Sequence, residues 1–455
     1  MMVVRVILAV CVMACMVAAA PWAEARAAEA LPEPQLYGLY TWAANYVRYA
    51  DDIQKTGIRW VRTGGWDGKA TDDAALTAAR NGVHLTPSLF LNGLSHSRTM
   101  PVDEAVAAFR EQARASVLRY GPGGTLWKEH ADVKPLPIRY WQIWNEPNIE
   151  FLNPGESGLL RTELYAKLLK AATEEIRKAD PGAQIIAFNT AGGVPDSGQA
   201  LKADGMFQKL KYIGWRKFIR DVTELAGTGS YDYIGTHPYT MPRSPEAGGL
   251  ARGVEMIREW EKEAKLKAKP IWFTEVGFPI EYPNQRQVRD ERQQACFTVR
   301  LFALAGVHGA TQVQVMYVED IVYGPDNSRR SFGFFIEPGK WREQAKATRV
   351  MARLIPDPRK DVRTLSEKVD GVCAFEFKGP GGEPVLMAWN AGEGAVEHEF
   401  DGYGGKGATL VDMLGNVSRV EAEGGKVKLK LTEAPVYVLS ERNWRQVDVE
   451  KLLSE

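Results

Sequence analysis

The chain has 455 residues, which is too long for one ordinary domain but fits an α/β barrel of roughly 250 to 350 residues followed by a smaller unit. Apolar residues make up 45% of the chain and charged residues 25%, as in soluble globular proteins. Because 57 basic residues balance 57 acidic ones and no basic cluster occurs, the composition gives no support for nucleic acid as a partner.

The first 30 residues are typical of a secretory signal peptide. Arg5 precedes an uninterrupted apolar run over 6–20, and small residues are frequent from there to Ala30. The run is shorter than the roughly 20 apolar residues of a membrane span. We therefore expect residues 1–30 to be removed and the protein to be exported, to the periplasm or to the medium. A membrane tether through this segment is the alternative.

From residue 31 to 355, strand-like and helix-like segments alternate, which predicts a (β/α)8 TIM barrel in the α/β class. Short apolar runs predict eight strands at 36–41, 60–64, 83–90, 138–145, 184–189, 233–239, 271–275 and 311–317. Helical periodicity predicts helices at 71–81, 102–120, 159–179, 206–226, 249–265, 285–308 and near 341–354. An open doubly wound sheet is the alternative, but no Gly-x-Gly-x-x-Gly turn follows the first strand.

Residues 356–455 have a different pattern, in which short β runs alternate with glycine-rich turns. The runs lie at 372–377, 384–388, 408–412, 417–422, 427–431 and 436–439. This pattern predicts a small C-terminal antiparallel β-sandwich domain, and the segment 443–453 is typical of a short closing helix. After removal of the signal peptide two cysteines remain, Cys296 and Cys373, which either pair or form two buried thiols.

Two of the predicted barrel strands end on a glutamate. The fourth strand ends in Trp-Asn-Glu-Pro, which contains Asn145 and Glu146, and the seventh ends in Thr-Glu-Val-Gly, which contains Glu275. Because the carboxyl ends of barrel strands share one face, we expect both acids at one mouth. Paired carboxylic acids, one protonated and one ionised, are the groups that hydrolyse glycosidic bonds.

These motifs resemble those of the clan A glycoside hydrolases, and they are most similar to family 39 and to bacterial exopolysaccharide endoglycosidases. The sequence Thr-His-Pro-Tyr, which contains His237 and Tyr239, matches the His-x-Tyr element of the clan, and Arg62 matches its strand-two arginine. The resemblance covers essentially the whole mature chain. It implies a retaining hydrolase in which Glu146 is the acid/base and Glu275 the nucleophile.

The resemblance also implies roles for the supporting residues. Asn145 would bond the sugar 2-hydroxyl, while Tyr239 and Arg62 would keep Glu275 ionised. The eighth strand departs from the clan, because it ends on Tyr317 where many members carry tryptophan. Tyr317 is therefore the candidate for the floor of the −1 subsite.

For the supporting residues, the sequence alone also allows roles other than those implied by the resemblance. Arg62 has the alternative of a structural ion pair, and His237 is expected to orient other groups rather than carry a proton. Trp66 is the aromatic residue we assign to substrate binding, by stacking on a sugar ring. Other aromatic residues near strand ends, which suit either stacking or the core, are Trp42, Trp144 and Phe278.

The expected activity is endo-hydrolysis of a polysaccharide, such as a bacterial exopolysaccharide, by a monomer. The alternatives are an exo-acting β-glycosidase such as a xylosidase, and a non-catalytic carbohydrate-binding barrel of the cell envelope. The six histidines are scattered without metal-ligand spacing, so we expect neither a metal nor another cofactor.

Overall fold

The computed structural model describes residues 31–64, 68–94, 99–149, 151–155, 157–195, 197, 212–282, 286–323, 328–402, 407–440, 444 and 448–454. The predicted signal peptide at 1–30 lies outside these ranges and stays a prediction. Within the described part of the chain, no helix has the length and apolar character needed to span a membrane.

Eight parallel strands, β1 to β8 in chain order, close into a barrel. They are Tyr37–Trp42, Trp60–Gly64, His84–Leu89, Tyr140–Ile143, Gln184–Ala191, Tyr233–His237, Ile271–Val276 and Ala310–Met316. The predicted barrel is confirmed, and each predicted strand end lies within two residues of the observed one. Apolar runs identify these strands because both faces of a parallel barrel sheet are covered.

Helices cover the outside of the barrel. The helices α1 to α9 are Ala43–Lys55, Gly68–Asn81, Val102–Tyr120, Thr125–Glu129, Arg161–Ala179, Trp215–Ala226, Leu250–Glu263, Glu291–Val307 and Glu343–Leu354. The helix α1 is not among the segments predicted from periodicity. Residues 206–211 of the predicted helix at 206–226 and residue 285 of the one at 285–308 lie outside the described residues; α6 begins at Trp215 and α8 at Glu291. The last helix, α9, packs against α8 beside β8 and β1, where the barrel closes.

The inside of the barrel is aromatic at the amino-terminal ends of the strands. Trp60, Tyr140 and Trp272 form the centre of this cluster, with ring centroids 5.0 Å apart for Trp60 and Tyr140 and 5.6 Å apart for Tyr140 and Trp272. All three side chains are buried. The cluster therefore fills the barrel at the end opposite the mouth.

The C-terminal region is an eight-stranded antiparallel sheet with a sandwich-like fold, as predicted. Two small hairpins precede it, formed by β9 to β12 at Ile321–Tyr323, Ser328–Arg330, Phe335–Glu337 and Lys340–Trp341. The sheet strands β13 to β20 are Arg363–Ser366, Val372–Lys378, Pro384–Asn390, Val396–Asp401, Gly407–Asp412, Val417–Glu423, Lys426–Leu431 and Val436–Ser440. Apolar side chains from β14, β15, β16, β17, β19 and β20 pack together in one core between the strands. A short helix, α10, follows at Val449–Ser454.

A buried ion pair joins the barrel to this sheet. Arg300 of α8 donates hydrogen bonds of 2.8 and 2.6 Å to the two carboxylate oxygens of Glu246, and the indole N–H of Trp389 in β15 donates to the same carboxylate at 2.7 Å. The other face of the sheet belongs to the apolar core of the barrel. Cys296 and Cys373 lie in this region as free, buried thiols.

Candidate active site

The backbone leaves strand geometry two residues before the first candidate acid. The strand β4 ends at Ile143, and Trp144 and Glu146 have φ angles of 68° and 46°, in the left-handed region that side chains rarely adopt. The indole N–H of Trp144 donates to the Phe151 carbonyl at 2.7 Å, and the N–H of Glu146 donates to the Asn189 carbonyl at 2.9 Å. These bonds hold Glu146 in a fixed turn at the mouth.

Asn189 of β5 supports this turn and was not predicted from the sequence. Its side-chain amide donates to the carbonyls of Ile143 and Trp144 at 3.1 and 3.3 Å, and its own φ is 42°. Glycine at 235 leaves the space that its side chain occupies, since a Cβ there would collide with the Asn189 amide oxygen. The only sequence signal is the residue type, because asparagine tolerates the left-handed region.

Glu146 is almost fully enclosed, with 8% of its surface exposed. Burial raises the pKa of its carboxyl group to about 7, against the lowering effect of the positive charges of Arg62 and Arg330. One carboxyl oxygen lies 2.9 Å from Nδ1 of His237. Glu146 therefore keeps its proton at mildly acidic pH, which is the property of a general acid.

His237 at the end of β6 is fully buried and neutral. Burial lowers the pKa of its imidazole to about 3, with the Glu275 carboxylate opposing and Arg62 adding to the shift. Among the described residues Nε2 has no hydrogen-bond partner, so a proton on Nδ1, shared with Glu146, is the better-satisfied tautomer. This geometry fits the predicted role of His237 as an orienting group.

Glu275, the second candidate, lies one residue before the end of β7 and is held by two donors. Arg62 Nη1 donates to one carboxylate oxygen at 3.0 Å, and the Tyr239 hydroxyl donates to the other at 2.8 Å. Burial and the adjacent carboxylate raise the pKa of Tyr239 well above its usual value, so its hydroxyl stays a donor. Arg62 is itself completely buried. These two donors fix the position of the Glu275 carboxyl group at the mouth.

The two carboxyl groups face each other at short range. Oxygen atoms of Glu146 and Glu275 and a ring nitrogen of His237 all lie within 4.8 Å of one another. Retaining glycosidases have their two carboxyl groups about 5 to 5.5 Å apart, and inverting enzymes about 6.5 to 9.5 Å apart. The separation matches the first class, because it leaves no room for a water molecule between Glu275 and the anomeric carbon of the substrate.

These three residues are also the one cluster of possible metal ligands found in the described part of the chain. The guanidinium of Arg62 already donates to Glu275, and its positive charge opposes a cation beside that carboxylate. The donor set therefore suits proton transfer and nucleophilic attack better than it suits a metal ion.

Asn145 contacts the guanidinium of Arg62, and Tyr317 packs on Tyr40, the ring that this guanidinium covers. The Asn145 amide oxygen accepts a hydrogen bond from Arg62 Nη2, and the guanidinium lies over the Tyr40 ring, 4.2 Å from its centroid. Tyr317 packs edge-on against Tyr40 at 5.4 Å, and its hydroxyl accepts a hydrogen bond of 2.9 Å from the backbone N–H of Trp42. Tyr317 is 2% exposed, and its role in the −1 subsite stays a prediction.

The aromatic candidates for sugar stacking separate by exposure. Trp66 lies outside the described residues, so its assignment also stays a prediction. Trp144 and Phe278 are each 1% exposed and belong to the core. Trp42, at the end of β1, is 40% exposed and its backbone is bonded to Tyr317. Of the described candidates, it has the exposed ring surface that a sugar can cover.

The fold has many relatives among solved structures, although no family model and no curated protein matches the sequence. A family 39 glycoside hydrolase from the gut symbiont Bacteroides cellulosilyticus WH2 is 19% identical, with a TM-score of 0.61 over 90% of this chain and 82% of that chain. The chain shares the fold of these glycosidases. A monomeric β-xylosidase from Caulobacter crescentus CB15 is 13% identical, with a TM-score of 0.55 over 89% of this chain and 95% of that chain.

A bifunctional glucanase-xylanase from a metagenome library also has this fold, with 12% identity and a TM-score of 0.56 over 89% of this chain and 96% of that chain. The expected likeness to family 39 and related clan A glycosidases is thus confirmed at the level of the fold. At these identities the likeness shows the architecture, and the chemistry depends on the residues of the site.

Proposed function

We propose that the protein is a retaining glycoside hydrolase with Glu275 as the nucleophile and Glu146 as the acid/base. The observation that carries the proposal is the close approach of two carboxyl groups in opposite environments. Burial raises the pKa of Glu146 to about 7, while Glu275 is paired with Arg62 at 3.0 Å. A protonated acid and an ionised nucleophile are the starting states that double displacement needs.

In the first step, a Glu275 oxygen attacks the anomeric carbon and the bond to the leaving oxygen breaks. Glu146 gives its proton to that oxygen, so the leaving group departs as a neutral alcohol. The product of this step is a glycosyl ester on Glu275. The hydrogen bond from Arg62 to Asn145 holds that amide beside the nucleophile, where it can bond the sugar 2-hydroxyl.

In the second step, Glu146 is a carboxylate and takes a proton from a water molecule, which attacks the anomeric carbon. Glu275 leaves as a carboxylate, stabilised again by Arg62 and Tyr239. The close hydrogen bond from His237 Nδ1 accommodates the ionised state of Glu146 between the two steps. Two inversions at one carbon give net retention.

The proposed substrate is a polysaccharide or oligosaccharide, cut at internal bonds, with a bacterial exopolysaccharide as the expected class. Support comes from the exposed ring of Trp42 beside the site and from a glucanase-xylanase among the proteins of similar fold. The β-xylosidase of the same fold keeps exo-hydrolysis as the alternative. The product lengths from exopolysaccharides and xylan-type glycans separate the two modes: internal cleavage gives a ladder of oligosaccharides, and exo-hydrolysis gives one small sugar.

Proton NMR of the first-formed product tests the mechanism. The product is expected to have the same anomeric configuration as the substrate. Inversion would mean that Glu275 is not the nucleophile. If the folded protein hydrolyses no glycan in the panel, a carbohydrate-binding barrel is favoured instead. As a second check, Glu146→Gln should accumulate the ester on Glu275 from an activated aryl glycoside, because loss of the base slows the second step.

The proposed site of action is outside the cytoplasm, where polysaccharide is present, with the protein a monomer. This proposal rests on the signal-like sequence of residues 1–30. Sequencing of the mature amino terminus checks it, and an intact Met1 in the membrane fraction would favour a retained tether.

A further inference from the structure

A chain of hydrogen bonds between buried side chains lies directly below the mouth. Arg62 Nε donates to the Ser88 hydroxyl in β3 at 3.0 Å, and that hydroxyl donates to the Gln142 amide oxygen in β4 at 3.2 Å. These bonds link the arginine that holds the nucleophile to β3, which carries no candidate catalytic group, and to the strand that leads to the acid.

The chain then crosses the barrel. Gln142 Nε2 donates to the Gln314 amide oxygen at 2.7 Å, and β4 and β8 are opposite strands in the ring of eight. Gln314 Nε2 donates to the Thr86 hydroxyl at 2.8 Å, which donates at 3.5 Å to the carbonyl of Val61. The chain of bonds therefore ends at the residue that precedes Arg62, after passing through the centre of the barrel.

This chain of hydrogen bonds from Arg62 through Ser88, Gln142, Gln314 and Thr86 is called the polar circuit. Every side chain in the circuit is at most 2% exposed. Barrel interiors are usually filled by branched apolar residues, and a buried polar group costs free energy unless it is fully bonded. Gly38 of β1 makes room for the circuit, because a Cβ there would lie 3.3 Å from the Gln314 side chain and 2.7 Å from a backbone oxygen of β8. An apolar layer would fill the barrel without needing hydrogen bonds, so we expect the polar side chains to have a role other than packing.

The orientation of the Arg62 guanidinium supplies that role. Its Nε donates into the circuit, Nη1 donates to the carbonyl of Thr274 at 2.8 Å and to Glu275, and Nη2 donates to Asn145. Because the guanidinium is a rigid plane, the direction of its Nε bond fixes the directions of the other N–H groups. The position of Ser88 thus decides how Arg62 meets the nucleophile.

We propose that Ser88, Gln142 and Gln314 are positioning residues for catalysis, which act by aligning Arg62 on Glu275. This inference rests on the proposed function of Glu275 as a nucleophile. None of the three touches the mouth, and each acts through the arginine. A shift of the guanidinium by a fraction of an ångström weakens its bond to the carboxylate in the reaction, and such misplacements cost up to about 100-fold in rate.

Arg62 holds the carboxyl group of Glu275 through an ion pair of 3.0 Å. Misalignment of Arg62 is therefore expected to lower kcat rather than to raise KM, and a residue with only a structural role would not produce this split.

The test compares Gln142→Met and Gln314→Met with Gln312→Met, using an activated aryl glycoside that the wild-type protein hydrolyses. Gln312 is a matched control: it lies two residues from Gln314 in β8, is fully buried, and has no hydrogen-bond partner in the described part of the chain for either amide atom. The two circuit variants are expected to lose about 10- to 100-fold in kcat with KM changed less than about threefold. The control is expected to stay within about twofold in both.

Two results would overturn the proposal: a kcat in the circuit variants equal to that of the control, or an intact kcat with a raised KM. Thermal unfolding monitors the fold of each variant. If either methionine variant does not fold, Ser88→Ala replaces it, because it removes the acceptor of Arg62 Nε without adding bulk. It should reproduce the loss of kcat with KM little changed.

A readout independent of activity separates this proposal from the proposed function. With ¹⁵N-labelled arginine, the Arg62 Nε–H proton should exchange slowly with solvent in the wild type and in Gln312→Met, and faster in Gln142→Met. An unchanged exchange rate of the Arg62 Nε–H proton in Gln142→Met would contradict the positioning role even if the protein is a hydrolase. Absence of hydrolysis in the wild type would contradict the proposed function and leave the exchange result to judge the alignment of Arg62.

Discussion

The carboxyl ends of β4 and β7 carry the same residue type, yet the two glutamates lie in opposite environments. At β4 the backbone turns through left-handed conformations and encloses Glu146 beside a neutral histidine. At β7 the strand continues normally to Val276, and Glu275 accepts hydrogen bonds from a buried arginine and a tyrosine. The carboxyl group of Glu146 is buried with a neutral histidine as its hydrogen-bond partner, whereas that of Glu275 accepts hydrogen bonds from both Arg62 and Tyr239.

The difference shows how one chemical group acquires two functions. Burial raises the pKa of Glu146 because the charged form loses its hydration, and the positive charges of Arg62 and Arg330 offset only part of this shift. The carboxyl group of Glu275 instead accepts direct hydrogen bonds from Arg62 and Tyr239. Each part of this contrast can be removed separately by a single substitution.

The largest effect is expected for Glu275→Gln. The amide has nearly the same shape but is a poor nucleophile, so kcat should fall by at least about 10⁴-fold on all substrates. Steady-state kinetics on an activated aryl glycoside measures the loss. Glu281→Gln, in the loop after β7 and exposed, is the control and should stay near the wild-type rate. A residual activity of more than a few per cent in Glu275→Gln would assign the nucleophile elsewhere.

A smaller and substrate-dependent effect is expected for Glu146→Gln. Loss of a general acid costs about 10² to 10⁴-fold with a natural sugar leaving group. With an activated phenol the first step needs little protonation, so the loss in kcat/KM should be much less. Kinetics on the two substrate types give the comparison, and equal losses on both would argue against an acid role for Glu146.

The same substitution should change stability with pH in a predictable direction. The folded-state pKa of Glu146 is about 7 and its usual value is 4.5, so the wild-type protein loses stability as pH rises from about 4.5 through 7. The amide of the variant does not titrate and has no such loss. Denaturant unfolding should show Glu146→Gln more stable than wild type by about 3 kcal/mol at pH 8, with little of this gain at pH 4.5. A difference that does not depend on pH would contradict the raised pKa.

The smallest effect is expected for Tyr239→Phe, which removes one of the two donors to Glu275. A hydrogen bond to a charged group contributes about 2 kcal/mol, so kcat should fall about 30-fold with KM little changed. Tyr46→Phe is a suitable control, because Tyr46 is a buried tyrosine whose hydroxyl has no partner among the described residues. A loss as large as that of Glu275→Gln would mean that Tyr239 takes a direct part in the chemistry.

The strands of the barrel were predictable because their apolar runs are short, regular and separated by helical patterns. The location of Glu146 was predictable only in part. The strand at 138–145 was expected to reach Asn145, but β4 ends at Ile143, and Trp144 and Glu146 adopt left-handed backbone conformations. That turn depends on Asn189, some 43 residues later, and a local pattern does not contain contacts over such a distance.

The polar circuit below the mouth was not predictable for the same reason. Gln142 and Gln314 lie in strands made mainly of apolar residues, and each alone is compatible with any buried strand. Their bond exists because closure of the ring places β4 opposite β8. Arg62 was found by resemblance to a family, while Ser88, which fixes its orientation, has no distinguishing sequence signal.

The aromatic cluster of Trp60, Tyr140 and Trp272 has a consequence for polymer substrates. Because these rings fill the barrel at the end away from Glu146 and Glu275, a glycan cannot pass through the centre of the barrel. A chain that reaches the two glutamates therefore has to enter and leave on the same face of the barrel.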